Sequence, residues 1–557
     1  MTEHKIPIPS RIYNAAVGGH VAGADQIIDD KTGLTLDKVA GGALEEKEYT
    51  SGSNNGMGRV ILRKNIVEGV NTLTQSMINK NNTIYVIQYD FTLGENITIP
   101  ENCILEFDGG SISGTYTITG NNTEINARLV KIFNTDVTID GFWNVTEAYP
   151  EWFGAKGDQT FDDTKYIQKA INSFSVIKFV SEKGYNITAN NEGVCLILKD
   201  GSILVGSKCR FNRSKINPTF KVNSEHCIGI LGKSKNTISN ISLLLNATEL
   251  TINDSYTSIG IKLLGSNNYI TNTDVISAHI GFESESFLTT IINCNVWACK
   301  VGFYCHGITS NKWYENGGTV NINMTSNTLL NCYAVSCTKE AYIFQGMSYS
   351  SIISCAADGC GIPVESIAVT TQEELHYPYY IIYCKGMSIT NCGSELSPLC
   401  LYIKRSASIS VDGEVAILGL RIKDDSNVKP HSIISVTYSS GIHLQNIIIQ
   451  KNDTIDLYSE DSILIYSSAY ITVEFANTMG TTLGTNLLTS KRNMSNWGNA
   501  TSYINIIPMY NMKGTKDNLP SAFSLSPGEI YMLTENDTIK PVFNVGSKWV
   551  DATGATV

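Results

Sequence analysis

Ile291-Ile292-Asn293-Cys294 and Leu329-Leu330-Asn331-Cys332 share one local pattern: an aliphatic residue, any residue, Asn, then Cys. The pattern returns as Ile238-Ser239-Asn240, Ile270-Thr271-Asn272, Ile352-Ile353-Ser354-Cys355, Ile389-Thr390-Asn391-Cys392, Ile409-Ser410-Val411 and Leu444-Gln445-Asn446. Its third positions lie 32, 21, 38, 23, 37, 20 and 35 residues apart. The short spacing is about what three short strands and three bends consume, and the longer intervals then hold loop insertions or a coil without the signature. Aliphatic residues would stack inside such a coil. Asn suits the tight bend because it tolerates a left-handed backbone, and its amide can bond the same position one coil above. A β-sandwich would not hold one bend signature in register eight times, and a propeller repeats at about 40–50 residues. The fold expected is all-β: a parallel β-helix, right-handed as parallel crossovers are.

Composition agrees. Of 557 residues, 17% are charged and 42% hydrophobic, which suffices for a core and excludes a disordered chain. The charge is 41 − 52 = −11 with no dense Lys/Arg run, so phosphate-neutralising nucleic-acid binding is not expected. No apolar run reaches the roughly 18–20 residues of a membrane helix, so no membrane insertion is expected. Met1 to Arg11 is polar and carries Pro7 and Pro9, so no signal peptide is read and synthesis in a cytoplasm is expected. The 14 Cys are then expected as buried thiols rather than disulfides.

Four regions follow along the chain. Residues 1–65 hold an extended start, Ile6 to Arg11, and little core of their own. Residues 66–148 combine a helix expected over Ile66 to Lys80 with short strands, and form either a small β-domain or the first coils. The β-helix is expected over 149–450. Beyond Gln450 the register fades: Ser462 to Glu474 reads as strand, Thr478 to Trp497 as loop, and the last sixty residues as a small β unit.

Glu151-Trp152-Phe153-Gly154-Ala155-Lys156-Gly157-Asp158, followed by Phe161-Asp162-Asp163-Thr164-Lys165 and Ile167-Gln168-Lys169-Ala170-Ile171, resembles the entry motif of pectate-lyase-like phage tailspike proteins. There the segment leads into a capping helix, a strand and a Gly-Tyr pair, here Gly184-Tyr185. Asp162 or Asp163 is placed to cap the helix, and Ile167, Ala170 and Ile171 supply its apolar face. Gln159-Thr160-Phe161 departs from the Gly-Val-Thr common in the family. Cys103 to Ile112 is similar to a strand-and-turn module that often precedes such spikes. Pro527 to Asp551 is similar to a closing segment of tail fibre proteins, and Ile6 to Asn65 to a virion-anchoring head. The resemblance implies a homotrimeric tail spike or fibre in the virion. Its head would be held by other tail or capsid proteins, its β-helix would meet a bacterial surface polysaccharide, and residues 451–557 would form the trimerisation or tip region. Whether the glycan is cut stays open.

Cleavage of a glycoside needs two carboxylates, about 5 Å apart for retention or roughly 6.5–9.5 Å for inversion. Neighbouring coils stack about 4.8 Å apart, so acids at one offset on adjacent coils would qualify. Asp358 lies four residues after Ser354 and Glu395 four after Asn391, while Asp412 and Glu414 lie one and three after Val411. Trp297 and Val335 hold the same offset on earlier coils. Against this, Asp-Gly pairs are ordinary turns, and the 37-residue interval leaves room for an intervening coil. Cys299, Cys337 and Cys360 at the sixth position would point inward and, on an unbroken strand, take the fourth position with them. The Cys spacing fits buried ladders better than zinc, and no metal or cofactor is expected. Trp297 is one candidate glycan contact, and Trp313, Tyr314, Tyr377 and Tyr379, placed on insertion loops, are the others.

Overall fold

The computed structural model describes residues 58–181, 183–207, 219–222, 226–245, 257–307, 324–361, 376–413, 415–418, 433–451, 463–466, 468–475, 488–491, 504–507, 513–514, 516, 530–535, 538–545 and 547–557. Most of the expected virion-anchoring head therefore lies outside the described residues. The chain divides between Tyr185 and Asn186 into two compact units, with Ser202–Val205 belonging to the first.

In the first unit Gly58–Ile61, Thr83–Ile87, Ile104–Phe107, Thr117–Asn126 and Thr138–Trp143 form one parallel ladder. Ile84 pairs with Ile104 and Phe91 with Ile112, about one coil length apart, so residues 58–143 wind as coils. The helix expected over Ile66 to Lys80 is absent. Glu68 and Gly69, at φ 49° and 80°, turn the chain into a hairpin between Ile66–Val67 and Val70–Leu73, and only a 3₁₀ turn, Gln75–Met77, follows. Two successive positive φ values are what a type I′ hairpin needs.

The entry motif folds as a 3₁₀ turn, Pro150–Phe153, and one α-helix, α1 (Thr164–Ser173), which buries Ile167, Ala170 and Ile171 as expected. Capping is divided between the two candidates. Asp163 occupies the cap position but turns its carboxylate back to accept from the amides of Lys156 (2.7 Å) and Gly157 (3.0 Å), while Asp162 accepts from the amide of Thr164. Glu151 is buried and accepts from Lys183 Nζ and Tyr185 Oη, both at 2.8 Å, which ties the motif to the Gly-Tyr pair.

The second unit is a parallel β-helix with three faces. Face one carries Tyr269–Thr271, Thr290–Ile292, Thr328–Leu330, Ser351–Ile353, Lys385–Thr390 and Ala407–Asp412. Face two carries Asp274–Ile276, Asn295–Trp297, Tyr333–Val335, Ala356–Asp358, Gly393–Ser397 and Val415–Leu418. Face three carries Ile259–Ser266, Ile280–Phe287, Val301–His306, Tyr342–Gln345, Tyr379–Ile382, Leu401–Lys404 and Ile434–Thr437. The coil does not fade at Gln450. It continues through Ile463–Tyr466 and Leu488–Lys491, the latter inside the expected loop, and on face one through Ala469–Phe475 to Ile504–Ile507. A four-stranded sheet, Lys513–Gly514, Ile530–Glu535, Thr538–Asn544 and Trp549–Asp551, closes the chain.

The bend between faces one and two is where the signature sits. Asn240, Asn272, Asn293, Asn331, Ser354, Asn391 and Asn446 all have φ between 50° and 56°. Asn331 Nδ2 donates to Asn293 Oδ1 at 2.7 Å, the expected coil-to-coil bond. One bend was misplaced: Val411 pairs with Ile389 and points inward, and Gly413 (φ 73°) is the bend residue above Asn391. Thirteen described cysteines are buried, and Cys294, Cys332, Cys355 and Cys392 follow the bend as an inward ladder. Phe282, Phe303, Tyr342 and Tyr379 stack through the core with ring centroids 4.9, 5.2 and 4.9 Å apart.

Where face two passes to face three the backbone of one coil approaches the next. A Cβ on Gly281 would lie 2.6 Å from Val296 Cγ1 and 2.7 Å from the carbonyl oxygen of Gly302. Gly281→Ala is therefore expected to destabilise the fold by about 1–3 kcal/mol through overpacking, read as an earlier thermal transition; an unchanged melt would mean the corner has room to open.

Candidate functional site

On face two the register pairs Asp358 directly with Glu395 on the adjacent coil, so no coil intervenes between them. Val335 and Trp297 continue the column, and Trp297 is 52% exposed. The inward-pointing expectation fails for a local reason. Ala298, Ser336 and Gly359, at the fifth position, have φ of 51°, 53° and 58°. That left-handed step interrupts the strand alternation, so Ala334 and Ala357 and then the cysteines of the sixth position point in, while Asp358 points out. Stacked like charges repel. Tyr333 Oη donates to Asp358 Oδ2 at 3.0 Å, and burial together with that bond pushes the phenol up to about 12.

Asp412 is not part of this pair. It ends a face-one strand and accepts from Asn446 Nδ2 at 2.7 Å. Glu414, Trp313 and Tyr314 lie outside the described residues. Tyr377 and Tyr379 are not loop-tip platforms. Tyr379 is fully buried in the aromatic stack, its hydroxyl donating to the carbonyls of Cys355 and Gly393, and Tyr377 is buried with its hydroxyl against Ser435 Oγ. Face three resumes with Tyr379 as the core residue above Tyr342, which decides its direction.

The densest chemistry lies on face three. Strands alternate, so two outward columns run up it: Lys262, Glu283, Tyr304, then Leu264, Glu285, His306 on the same three coils. Lys262 Nζ donates to Glu285 Oε1 at 2.6 Å and Glu283 Oε1 at 3.2 Å. His306 Nε2 lies 2.9 Å from Glu283 Oε1 and 3.7 Å from Glu285 Oε1. Tyr304 stacks on the imidazole at 4.2 Å between centroids and donates to Gln345 Oε1 at 2.7 Å. Glu283 is only 6% exposed, and its Oε2 has no hydrogen-bond partner among the described residues.

The electrostatics follow from this packing. Burial pushes the Glu283 carboxyl up, but the His306 bond and the Lys262 charge outweigh it and hold the group below the ordinary glutamate value. Burial pulls Lys262 down, and its bond to Glu285 with the charge of Glu283 more than restores it, so it stays protonated above its ordinary range. Burial and the two glutamates push Tyr304 up to about 12. The group offers two carboxylates, an imidazole, an ammonium and a phenol to one ligand, an acid–base set. Glu283, Glu285 and His306 are also a possible metal-ligand set, with one donor atom each within 4.8 Å of the others. Farther along the first column Tyr380 and Tyr402 bring their rings to 5.4 Å, and Lys404 Nζ lies over Tyr402 at 5.8 Å.

Sequence reasoning missed this cluster because it counted from the Asn bend, at another corner. The signal was present: Ile259-Gly260-Ile261-Lys262, Ile280-Gly281-Phe282-Glu283 and Val301-Gly302-Phe303-Tyr304 recur 21 residues apart. Counting two and four residues from each Gly collects the two outward columns.

Among the described residues no helix is long and apolar enough to cross a membrane. No protein-family model matches the chain, and no curated protein matches it. Among solved structures it is similar to the gp42 tailspike of Acinetobacter phage vb_AbaP_AS12, at 13% identity and TM-score 0.35 over 72% of this chain and 76% of that one. It is similar to the A-module of the mannuronan C-5 epimerase AlgE4 of Azotobacter vinelandii, at 12% identity and TM-score 0.34, covering 59% and 95%. It is also similar to PfbA, a surface adhesin of Streptococcus pneumoniae, at 13% identity and TM-score 0.37, covering 71% and 98%.

Proposed function

We propose that this chain is a phage tail spike or fibre protein, a homotrimeric virion component, and that it holds a bacterial surface polysaccharide along face three. The observation that carries the glycan reading is the rigid outward cluster of Lys262, Glu283, Glu285, Tyr304 and His306, followed on the same face by Tyr380 and Tyr402. Charged and hydrogen-bonding groups beside ring faces suit hydroxyl-rich pyranoses, which need both. The tail reading rests on the entry motif from Glu151 to Ile171 and on the anchor-like and closing segments at the two ends.

A second reading, depolymerisation, is favoured by Glu283 and Glu285. Their facing carboxylate oxygens lie within 4.8 Å of each other, near the separation of about 5 Å that retaining glycosidases use. Asp358 and Glu395 are the rival acids. The full chain should bind the capsular glycan of its host in solution, and Tyr380→Ala with Tyr402→Ala should weaken that binding about 10-fold, as two lost stacking contacts would. If new reducing ends or unsaturated sugars form, Glu283→Gln should abolish them while Asp358→Asn leaves them. Binding and products unaffected by every face-three substitution would move the site to face two. Light scattering showing a monomer would defeat the trimer.

A further inference from the structure

The face-three cluster also has the makings of a metal site, independently of any glycan. We infer that Glu283, Glu285 and His306 bind one divalent transition-metal ion, Zn²⁺ or Mn²⁺, in exchange for the ammonium of Lys262.

Three observations carry this. The first is spacing. His306 Nε2 stands 2.9 and 3.7 Å from the Oε1 atoms of the two glutamates. Ligands bound at about 2.0–2.2 Å around a tetrahedral ion are roughly 3.3–3.6 Å apart, and with all three donor atoms within 4.8 Å of one another, side-chain rotations suffice to close on an ion. The second is the orphan Oε2 of Glu283, on a side chain more than nine-tenths buried, with no partner among the described residues. A buried carboxylate oxygen left unpaired is costly, and a cation beside that carboxylate supplies what hydrogen-bond donors do not. The third is Lys262. Its Nζ already sits 2.6 and 3.2 Å from the two Oε1 atoms, which shows that the position accommodates positive charge.

Ion choice follows from the donors. An imidazole with two carboxylates suits Zn²⁺ or Mn²⁺. Ca²⁺ asks for six to eight oxygens, more than these residues offer. The ligands sit on two adjacent strands of one sheet, not on a loop, so their separation is set by the ladder. Glu285, at 26% side-chain exposure, leaves the approach from solvent open.

The test uses the full chain, stripped with EDTA and dialysed, titrated calorimetrically with ZnCl₂, MnCl₂ and CaCl₂. The expected result is saturable binding of Zn²⁺ or Mn²⁺ but not Ca²⁺, together with a rise in melting temperature. His306→Ala and Glu283→Gln should each loosen binding about 10-fold or more, since even outer-shell losses cost that much. Lys262→Met should tighten it, because the competing cation is gone. Should Glu283→Gln fail to fold by circular dichroism, His306→Ala and Lys262→Met decide. No saturable binding by the natural chain, or binding only once Lys262 is removed, overturns the proposal. So does binding indifferent to His306→Ala. None of these outcomes depends on whether a glycan binds.

Discussion

Phe303→Ala should lower the local stability of three successive coils by about 3–5 kcal/mol, the range for truncating a buried aromatic. Phe303 is fully buried and stacks on Phe282 at 4.9 Å on one side and Tyr342 at 5.2 Å on the other, with planes tilted by 4° and 3°. Removing the ring leaves a gap that neither neighbour can enter. The backbones above and below are pinned by ladder hydrogen bonds, and Tyr342 is further held by its hydroxyl on the carbonyls of Cys332 and Ala356. In a repeat fold such damage stays near the lesion. Native-state hydrogen exchange should therefore show lost protection in Ile280–Phe287, Val301–His306 and Tyr342–Gln345, and little change at Ile434–Thr437. Phe287→Ala, on the same face but 38% exposed, is the control and should cost much less. Equal effects from the two substitutions would mean that the stacked rings are not a continuous core.

The bends were legible because backbone geometry restricts them to few residue types. A left-handed step at each coil favours Asn or Gly, with Ser354 the exception, which is why Asn272, Asn293 and Asn331 announce the fold by themselves. The same chemistry explains the slip at Val411. Gly413 meets the requirement as well as Asn does, but the aliphatic pattern ends two positions earlier on Val411, which is itself the inward residue. Asp358 and Glu395 were brought together by counting, yet their direction was not legible, because Gly359 and its counterparts interrupt the alternation with a backbone step that Ala298 and Ser336 take without being Gly or Asn. Tyr379 was misread because an insertion hides where face three resumes, and only the ring of Tyr342 beneath it fixes that register. The Glu283 cluster was readable from the Gly260, Gly281 and Gly302 repeat. Its glycines mark a close approach of two backbones rather than a bend, and a search for bends passes over them.

In EDTA, so that no metal can substitute for it, Lys262→Met should destabilise the protein by about 2–3 kcal/mol, just below the roughly 3–5 kcal/mol for breaking a fully buried ion pair. The discount is physical: Lys262 is 19% exposed, and Glu283 keeps its bond to His306. What makes the loss large is the partner left behind. Glu283, with one oxygen that has no partner among the described residues, would share a partly desolvated pocket with Glu285 and have no ammonium between them. The pH dependence has a definite sign. A carboxyl held below its unfolded value contributes stability that is present above about pH 4.3 and lost as pH falls through the folded value. A lysine held above its ordinary range contributes stability that is present below about pH 10.4 and lost as pH rises through its folded value. The natural chain should thus hold its advantage over Lys262→Met across the neutral range, and the gap should narrow in acid as Glu283 protonates and again in strong alkali as Lys262 loses its proton. A gap that stayed constant down to pH 3 would show that methionine costs packing rather than charge, and the Lys262 ammonium could then no longer be taken as acting with the His306 bond to hold the Glu283 carboxyl down.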